Sequence, residues 1–64
     1  MITVAILING QPIMARSATN KSDENDKGET RYLVDDGSVV WHDPEKGAVA
    51  LAIKLLKTIK EDLG

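Results

Sequence analysis

Apolar residues recur every three or four positions over the last third of the chain, from Pro44 to Asp62. At about 100° per residue, this spacing gathers them along one side of an α-helix, so the pattern predicts a long amphipathic helix. That side is formed by Ala48, Ala52, Leu55, Leu56, Ile59 and Leu63, with Val49 and Ile53 on one flank and Leu51 on the other.

The apolar arc of this helix covers roughly 200°, whereas a core-facing helix typically shows about 100°. Two explanations fit this width. A curled sheet can wrap the helix and cover both flanks, or Ile53 or Leu51 can face a second copy of the chain or another partner.

The start of the helix carries its own signals. Asp43 is a suitable N-cap and Pro44 suits the first helical position, where a missing N–H costs nothing. Gly47 in the first turn costs up to about 1 kcal/mol relative to alanine. The alternative is a helix that begins near Ala48 and does not use the Asp43 cap.

The first 18 residues predict a β-hairpin. Ile2 to Ile8 is rich in β-branched residues, and Asn9-Gly10 is the sequence that a type I′ turn prefers. A two-residue loop places Ile2, Val4, Ile6, Ile8, Ile13 and Ala15 on one face and Thr3, Ala5, Leu7, Pro12, Met14 and Arg16 on the other. Pro12 lacks an amide donor, which predicts that the second strand is a sheet edge, at least near Pro12.

The segment from Thr19 to Glu29 is polar throughout, which predicts a flexible connection. It resembles a calcium-binding loop only superficially, because Lys27 and Val34 fall at two positions that need oxygen ligands. We therefore expect no metal there.

Residues 30–42 predict a second hairpin around Asp36-Gly37. A two-residue loop pairs Tyr32 with Trp41 and Arg31 with His42. Tyr32, Val34, Val39 and Trp41 then share the face with more apolar area, which we expect to pack on the helix.

The predicted fold is α+β: a small antiparallel sheet of two hairpins (ββ-loop-ββ), followed by one long C-terminal amphipathic helix packed on one sheet face. We expect a single domain over residues 1–64, with the helix spanning 43–63. The order of the hairpins in the sheet stays open.

Composition narrows the function. Sixty-four residues bury little core, and the chain has no cysteine and only one histidine, so neither disulfides nor a structural zinc site is expected to stabilise it. Oligomerisation is the remaining common route to stability.

The longest early apolar run, Val4 to Ile8, is too short to span a bilayer. It has neither the basic segment before it nor the small-residue cleavage site after it that a signal peptide shows. We therefore expect no membrane association and a cytoplasmic location.

Catalytic chemistry has few candidates. His42 is the natural acid–base group, but it is predicted to face solvent opposite Arg31, and Asp43 beside it serves the helix. Ser17, Ser22 and Ser38 have no base near them in sequence. We expect no catalytic residue, no cofactor and no enzymatic activity.

Surplus apolar surface predicts instead a non-catalytic interaction module that self-associates, as a homodimer, or binds a protein partner. The candidate interface residues are Leu7, Met14, Leu33, Val40, Leu51 and Ile53. The alternative is a nucleic-acid-binding module that uses Arg16, Arg31 and His42 on the sheet face, although the net charge of −2 does not favour it.

Overall fold

The structure is a computed structural model that describes all residues, 1–64. Four antiparallel strands form one sheet in the order β1-β2-β3-β4, and a C-terminal helix packs on one face. The predicted α+β fold is confirmed, and the hairpins are neighbours in the sheet. The elements are β1 Ile2–Ile8, β2 Gln11–Glu24, β3 Thr30–Val34, β4 Val39–His42, a short 3₁₀ turn Pro44–Lys46, and α1 Gly47–Leu63.

The first hairpin has the predicted turn but a different register. Asn9 and Gly10 both have positive φ, as a type I′ turn requires, and Ile8 pairs with Gln11. A bulge follows, because Leu7 pairs with Pro12 whereas Ile6 pairs with Met14. Bulges tolerate proline, and the extra residue inverts every later side chain of the strand. The predicted face that Ile6 shares with Ile13 and Ala15 is therefore wrong, because Ile6 lies opposite Met14.

Beyond the bulge, β2 turns Met14, Arg16 and Ala18 toward the helix, on the same face as Ile2 and Val4. Pairing between β2 and β3 begins only at Ala18. The start of β2 thus has β1 as its only strand neighbour, and the predicted edge position near Pro12 is confirmed. Beyond Ala18, β2 pairs with β3 alone, so Ala18 is the one β2 residue that has strand neighbours on both sides.

Much of the polar segment 19–29, predicted as a connection, is strand, because β2 continues through it to Glu24 and pairs with β3. The following turn is held by Asn25, whose side-chain oxygen accepts the backbone N–H groups of Lys27 at 3.0 Å and Glu29 at 2.9 Å. Strand pairing uses backbone hydrogen bonds and needs no apolar side chains. A strand with solvated side chains on both faces therefore shows no apolar–polar alternation, which is why the sequence did not predict this one.

The second hairpin is also shifted by one residue, since Leu33 pairs with Val39 and Tyr32 with Val40. Its loop has three residues, Asp35 to Gly37, and ends on Gly37 at φ 89°. Three-residue loops typically end on a glycine in this left-handed conformation. As a result, Val40 and His42 face the helix while Val39 and Trp41 face outward, so the predicted Tyr32–Trp41 pair is wrong.

The core lies between the sheet and one side of α1. Ala18, Val34 and Leu55 form its centre, and Tyr32 and Val40 pack against them. Leu51 and Ile59 are buried on the same side of the helix. Only eight residues are buried in all, so each core side chain supports a large share of the fold.

The helix begins in two stages. Asp43 accepts the backbone N–H of Glu45 at 3.0 Å, which confirms it as a cap, but the cap serves the 3₁₀ turn. Gly47 then takes φ 83° and ψ 170°, a conformation largely confined to glycine, and α1 starts there without a side-chain cap. Gly47 is therefore the joint between the two helical segments.

Candidate functional site

Arg16 ties three elements together on the helix side of the sheet. Its side chain is 6% exposed; Nη1 donates to Oδ2 of Asp36 at 2.7 Å and Nη2 to Oδ2 of Asp62 at 2.5 Å. The hydrogen bond that Arg16 donates to Asp62, together with the charges of both carboxylates, raises the pKa of Arg16 above its ordinary value. Hydrogen bonds from the hydroxyl and the backbone N–H of Ser38, with the charge of Arg16, lower the pKa of Asp36. Arg16 is not the outward nucleic-acid contact that the sequence predicted, because the β2 bulge turns it inward.

His42 is likewise on the inner face, opposite Thr30, and not on the solvent side opposite Arg31. It is 3% exposed, and its ring makes a T-shaped contact with the ring of Tyr32, with 5.9 Å between centroids. Its Nδ1 is buried without a hydrogen-bond partner in the protein. His42 lines a shallow pocket of about 310 Å³ between the start of β1 and the start of α1, with Asn20 and Tyr32 as its other polar side chains.

The structure assembles no catalytic constellation around these groups. No carboxylate bonds to the ring of His42, and Ser38 donates its hydroxyl to Asp36 in the turn. No three histidine, cysteine or acidic side chains come together as metal ligands. No helix combines the length and the apolar character needed to cross a membrane.

The outward sheet face carries Trp41, which is 36% exposed and pairs across the strands with Arg31. Leu33 and Val39 pair beside them, and Leu7 lies exposed on β1. Arg31 also forms an ion pair with Asp23. Of the three predicted nucleic-acid contacts, only Arg31 is on this face, but the exposed tryptophan that the sequence assigned to the core is here too.

Three of the predicted interface residues are not on an outer surface. Met14 and Val40 are half-buried on the helix side because both hairpin registers shift. Leu51 is buried because α1 directs Leu51, Leu55 and Ile59 at the sheet. Leu7, Leu33 and Ile53 are exposed as predicted.

A second apolar stripe runs along α1, outside the buried side. It consists of Val49, Ile53, Leu56 and Leu63, all exposed. Sequence reasoning placed Leu56 and Leu63 in the core. The signal that could have revealed the stripe is its spacing of four, three and seven residues, which is the heptad spacing of helices that pair with other helices.

The stripe borders an apolar cleft between the helix and strand β1. The cleft has a volume of about 450 Å³ and is lined by Ile6, Leu56, Ile59 and Leu63, with the stem of Lys60 at its side. Long lysine stems commonly cover apolar surface while the ammonium group stays in water. The stripe therefore faces the side of the molecule where β1 forms the sheet edge.

Comparison of the chain with protein-family models, with curated proteins and with solved structures finds no match.

Proposed function

We propose that the chain is a non-catalytic interaction module that binds another protein chain, either a second copy of itself or a different protein. The observation that carries this proposal is the exposed stripe Val49, Ile53, Leu56 and Leu63 on an otherwise docked helix. Large apolar side chains that line up on a surface mark interaction sites more often than single exposed ones do.

Stability gives the same proposal a second support. With eight buried residues and no disulfide, the isolated fold has little apolar burial to offset its conformational entropy. A partner that covers the stripe adds burial to the folded state alone and stabilises it by mass action.

Two measurements on the same variants test this function. The molar mass is followed by light scattering from about 1 to about 100 µM, a range that detects micromolar dissociation constants. In parallel, the tagged chain is used to capture proteins from an extract. The double variant Val49→Glu/Ile53→Glu should no longer capture them. If the chain shows no self-association and no stripe-dependent capture, the interaction role is contradicted.

A second candidate function is the binding of single-stranded nucleic acid on the outward sheet face. The observation that favours it is Trp41 beside Arg31, because bases stack on exposed aromatic rings next to basic side chains. The test adds a single-stranded oligonucleotide to the protein stepwise and records the fluorescence of Trp41, the only tryptophan. Quenching that weakens with rising salt supports binding, and Arg31→Gln should reduce it; unchanged fluorescence excludes this mode.

A further inference from the structure

The two edges of the sheet differ in how they are protected. Strand β4 is only four residues long, and Nζ of Lys54 donates a hydrogen bond to the carbonyl of Trp41 on it. Lys54 also approaches Glu29, with Nζ to Oε2 at 4.0 Å. A short strand with a lysine bound to its backbone is a common means of blocking edge-to-edge pairing.

Strand β1 has none of these protections. It has seven residues, Ile-Thr-Val-Ala-Ile-Leu-Ile, with no charge and no proline, and it pairs with β2 alone. The bulge of the first hairpin lies in β2, so β1 itself is regular. Its free backbone groups are therefore a template for another strand.

The open edge of β1 and the exposed stripe of α1 lie on the same side of the molecule. Ile6 of β1 and Leu56 of the stripe both line the cleft between the two elements. A chain that pairs with β1 would thus also meet the stripe.

Three of the four stripe residues have the symmetry that a second copy requires. Val49 and Leu63 each lie seven residues from Leu56, so these three positions are unchanged when the helix direction is reversed about Leu56, whereas Ile53 falls at the level of the buried Ile59. A twofold interface uses the same patch on both subunits, with opposed directions. An uncharged strand can likewise pair with itself in antiparallel orientation.

From this coincidence we infer that the partner is a second copy of the chain, and that one twofold axis near Ile6 and Leu56 pairs β1 with β1 and α1 with α1. This inference rests on the proposed function and names its partner. The dimer has one continuous eight-stranded sheet with two antiparallel helices on one face. Leu56 packs near Leu56 of the second copy, and Val49 packs near Leu63 of the second copy.

The stripe supplies part of the area that a stable dimer needs. The four stripe residues expose roughly 400 Å² per protomer, about half of the roughly 800 Å² that each partner contributes to a standard interface. The edge of β1, with Ile6 in the cleft, supplies further surface. A net charge of −2 gives little repulsion between copies.

The first experiment compares two leucine variants of similar exposure, Leu56→Lys on the stripe (44% exposed) and Leu33→Lys on the outward sheet face (38%). Wild-type chain should show twice the 7.0 kDa monomer mass. Leu56→Lys should raise the dissociation constant at least about tenfold and Leu33→Lys should leave it unchanged. Circular dichroism confirms that both variants fold. The inference is overturned if Leu33→Lys dissociates the dimer and Leu56→Lys does not.

The second experiment uses the absence of native cysteine to determine the helix direction. Val49→Cys and Leu63→Cys chains are oxidised separately and as a mixture. The mixed disulfide should form at least about tenfold faster than either homodimeric one, because only the mixed pair is adjacent in the antiparallel arrangement. Faster linkage of Val49→Cys to itself would overturn the arrangement.

Hydrogen exchange tests the strand pairing separately. The amides of β1 that are not bonded to β2 should become protected as concentration rises through the dimerisation range. If these amides stay unprotected while the mass doubles, the β1 pairing is wrong. A chain that remains monomeric but captures another protein through the stripe would refute the homodimer and leave the interaction role intact.

Discussion

Arg16 and Asp62 lie 46 residues apart in sequence and are joined by a 2.5 Å hydrogen bond between Nη2 and Oδ2. The bond fixes the last turn of α1 onto β2, and the same guanidinium also bonds to Asp36 in the turn between β3 and β4. One buried arginine therefore holds the helix end and the second hairpin in position on the sheet.

Loss of this link should be measurable at the helix end. We expect Asp62→Asn to lower the free energy of unfolding and to increase hydrogen exchange in the last turn of α1, because the charge that pairs with Arg16 is removed. The matched control is Glu61→Gln, since Glu61 is exposed and has no bonded partner. Equal stability of the two variants in urea would show that the bond does not hold the helix.

The lowered pKa of Asp36 predicts the direction of the acid response. Its carboxylate is unfavourable to protonate in the folded chain, whereas the unfolded chain takes up the proton near pH 3.8. Below that pH the unfolded state binds more protons, so stability is lost as the pH falls through the folded-state pKa. Urea midpoints measured from pH 7 to pH 2 should fall less steeply for Asp36→Asn than for wild type. Asp26→Asn, in an exposed turn, should retain the wild-type slope.

Gly47 should not tolerate a side chain even though space is available. A Cβ at this position meets no atom within 4 Å, so any cost comes from the backbone at φ 83°. We expect Gly47→Ala to lower the free energy of unfolding by about 1–2 kcal/mol. A synthetic chain with D-alanine, which prefers positive φ, should retain near wild-type stability. If both forms lose stability equally, backbone strain is not the cause.

Adjacent leucines on α1 should respond very differently to truncation. Leu55 is fully buried in the core, so Leu55→Ala should cost about 2–5 kcal/mol and can unfold the chain. Leu56→Ala should change the stability of the monomer by less than about 0.5 kcal/mol, because Leu56 lies on the exposed stripe. The free energies of unfolding of the two variants are compared by urea denaturation, at a protein concentration where light scattering shows only monomer. Similar losses would mean that the helix is rotated from its position here.

The first turn, the helix and the Asp43 cap could be predicted because each depends on local backbone chemistry. Asn9-Gly10 and Asp43-Pro44 need particular φ values or a particular hydrogen bond, and those requirements are visible in the residue types. The fold class followed from these signals.

The faces of the strands could not be predicted, because both hairpins gain one residue. The bulge at Pro12 and the three-residue loop ending at Gly37 each shift the register by one position, which exchanges the two faces of a strand. Neither β1 nor β4 shows a clear apolar–polar alternation that would have fixed the register. Arg16, His42 and Trp41 were therefore assigned to the wrong sides.

The rotation of α1 was hidden for a similar reason. An apolar arc of roughly 200° is compatible with several contact lines, and the sheet selects the one through Leu51, Leu55 and Ile59. Val49, Ile53, Leu56 and Leu63 are then exposed and form the proposed interface. The sequence pattern had assigned Leu56 and Leu63 to the core side of the helix and Val49 and Ile53 to its flank.

The order β1-β2-β3-β4 also determines how the chain can assemble during folding. Every strand pairs with its neighbour in sequence, so each hairpin closes a short loop, an event of about 1–10 µs. Low contact order of this kind favours rapid folding. The contacts that span most of the chain are those of α1 with β1 and β2, among them the Arg16–Asp62 bond, so the kinetic barrier should lie in bringing the finished helix back over the sheet.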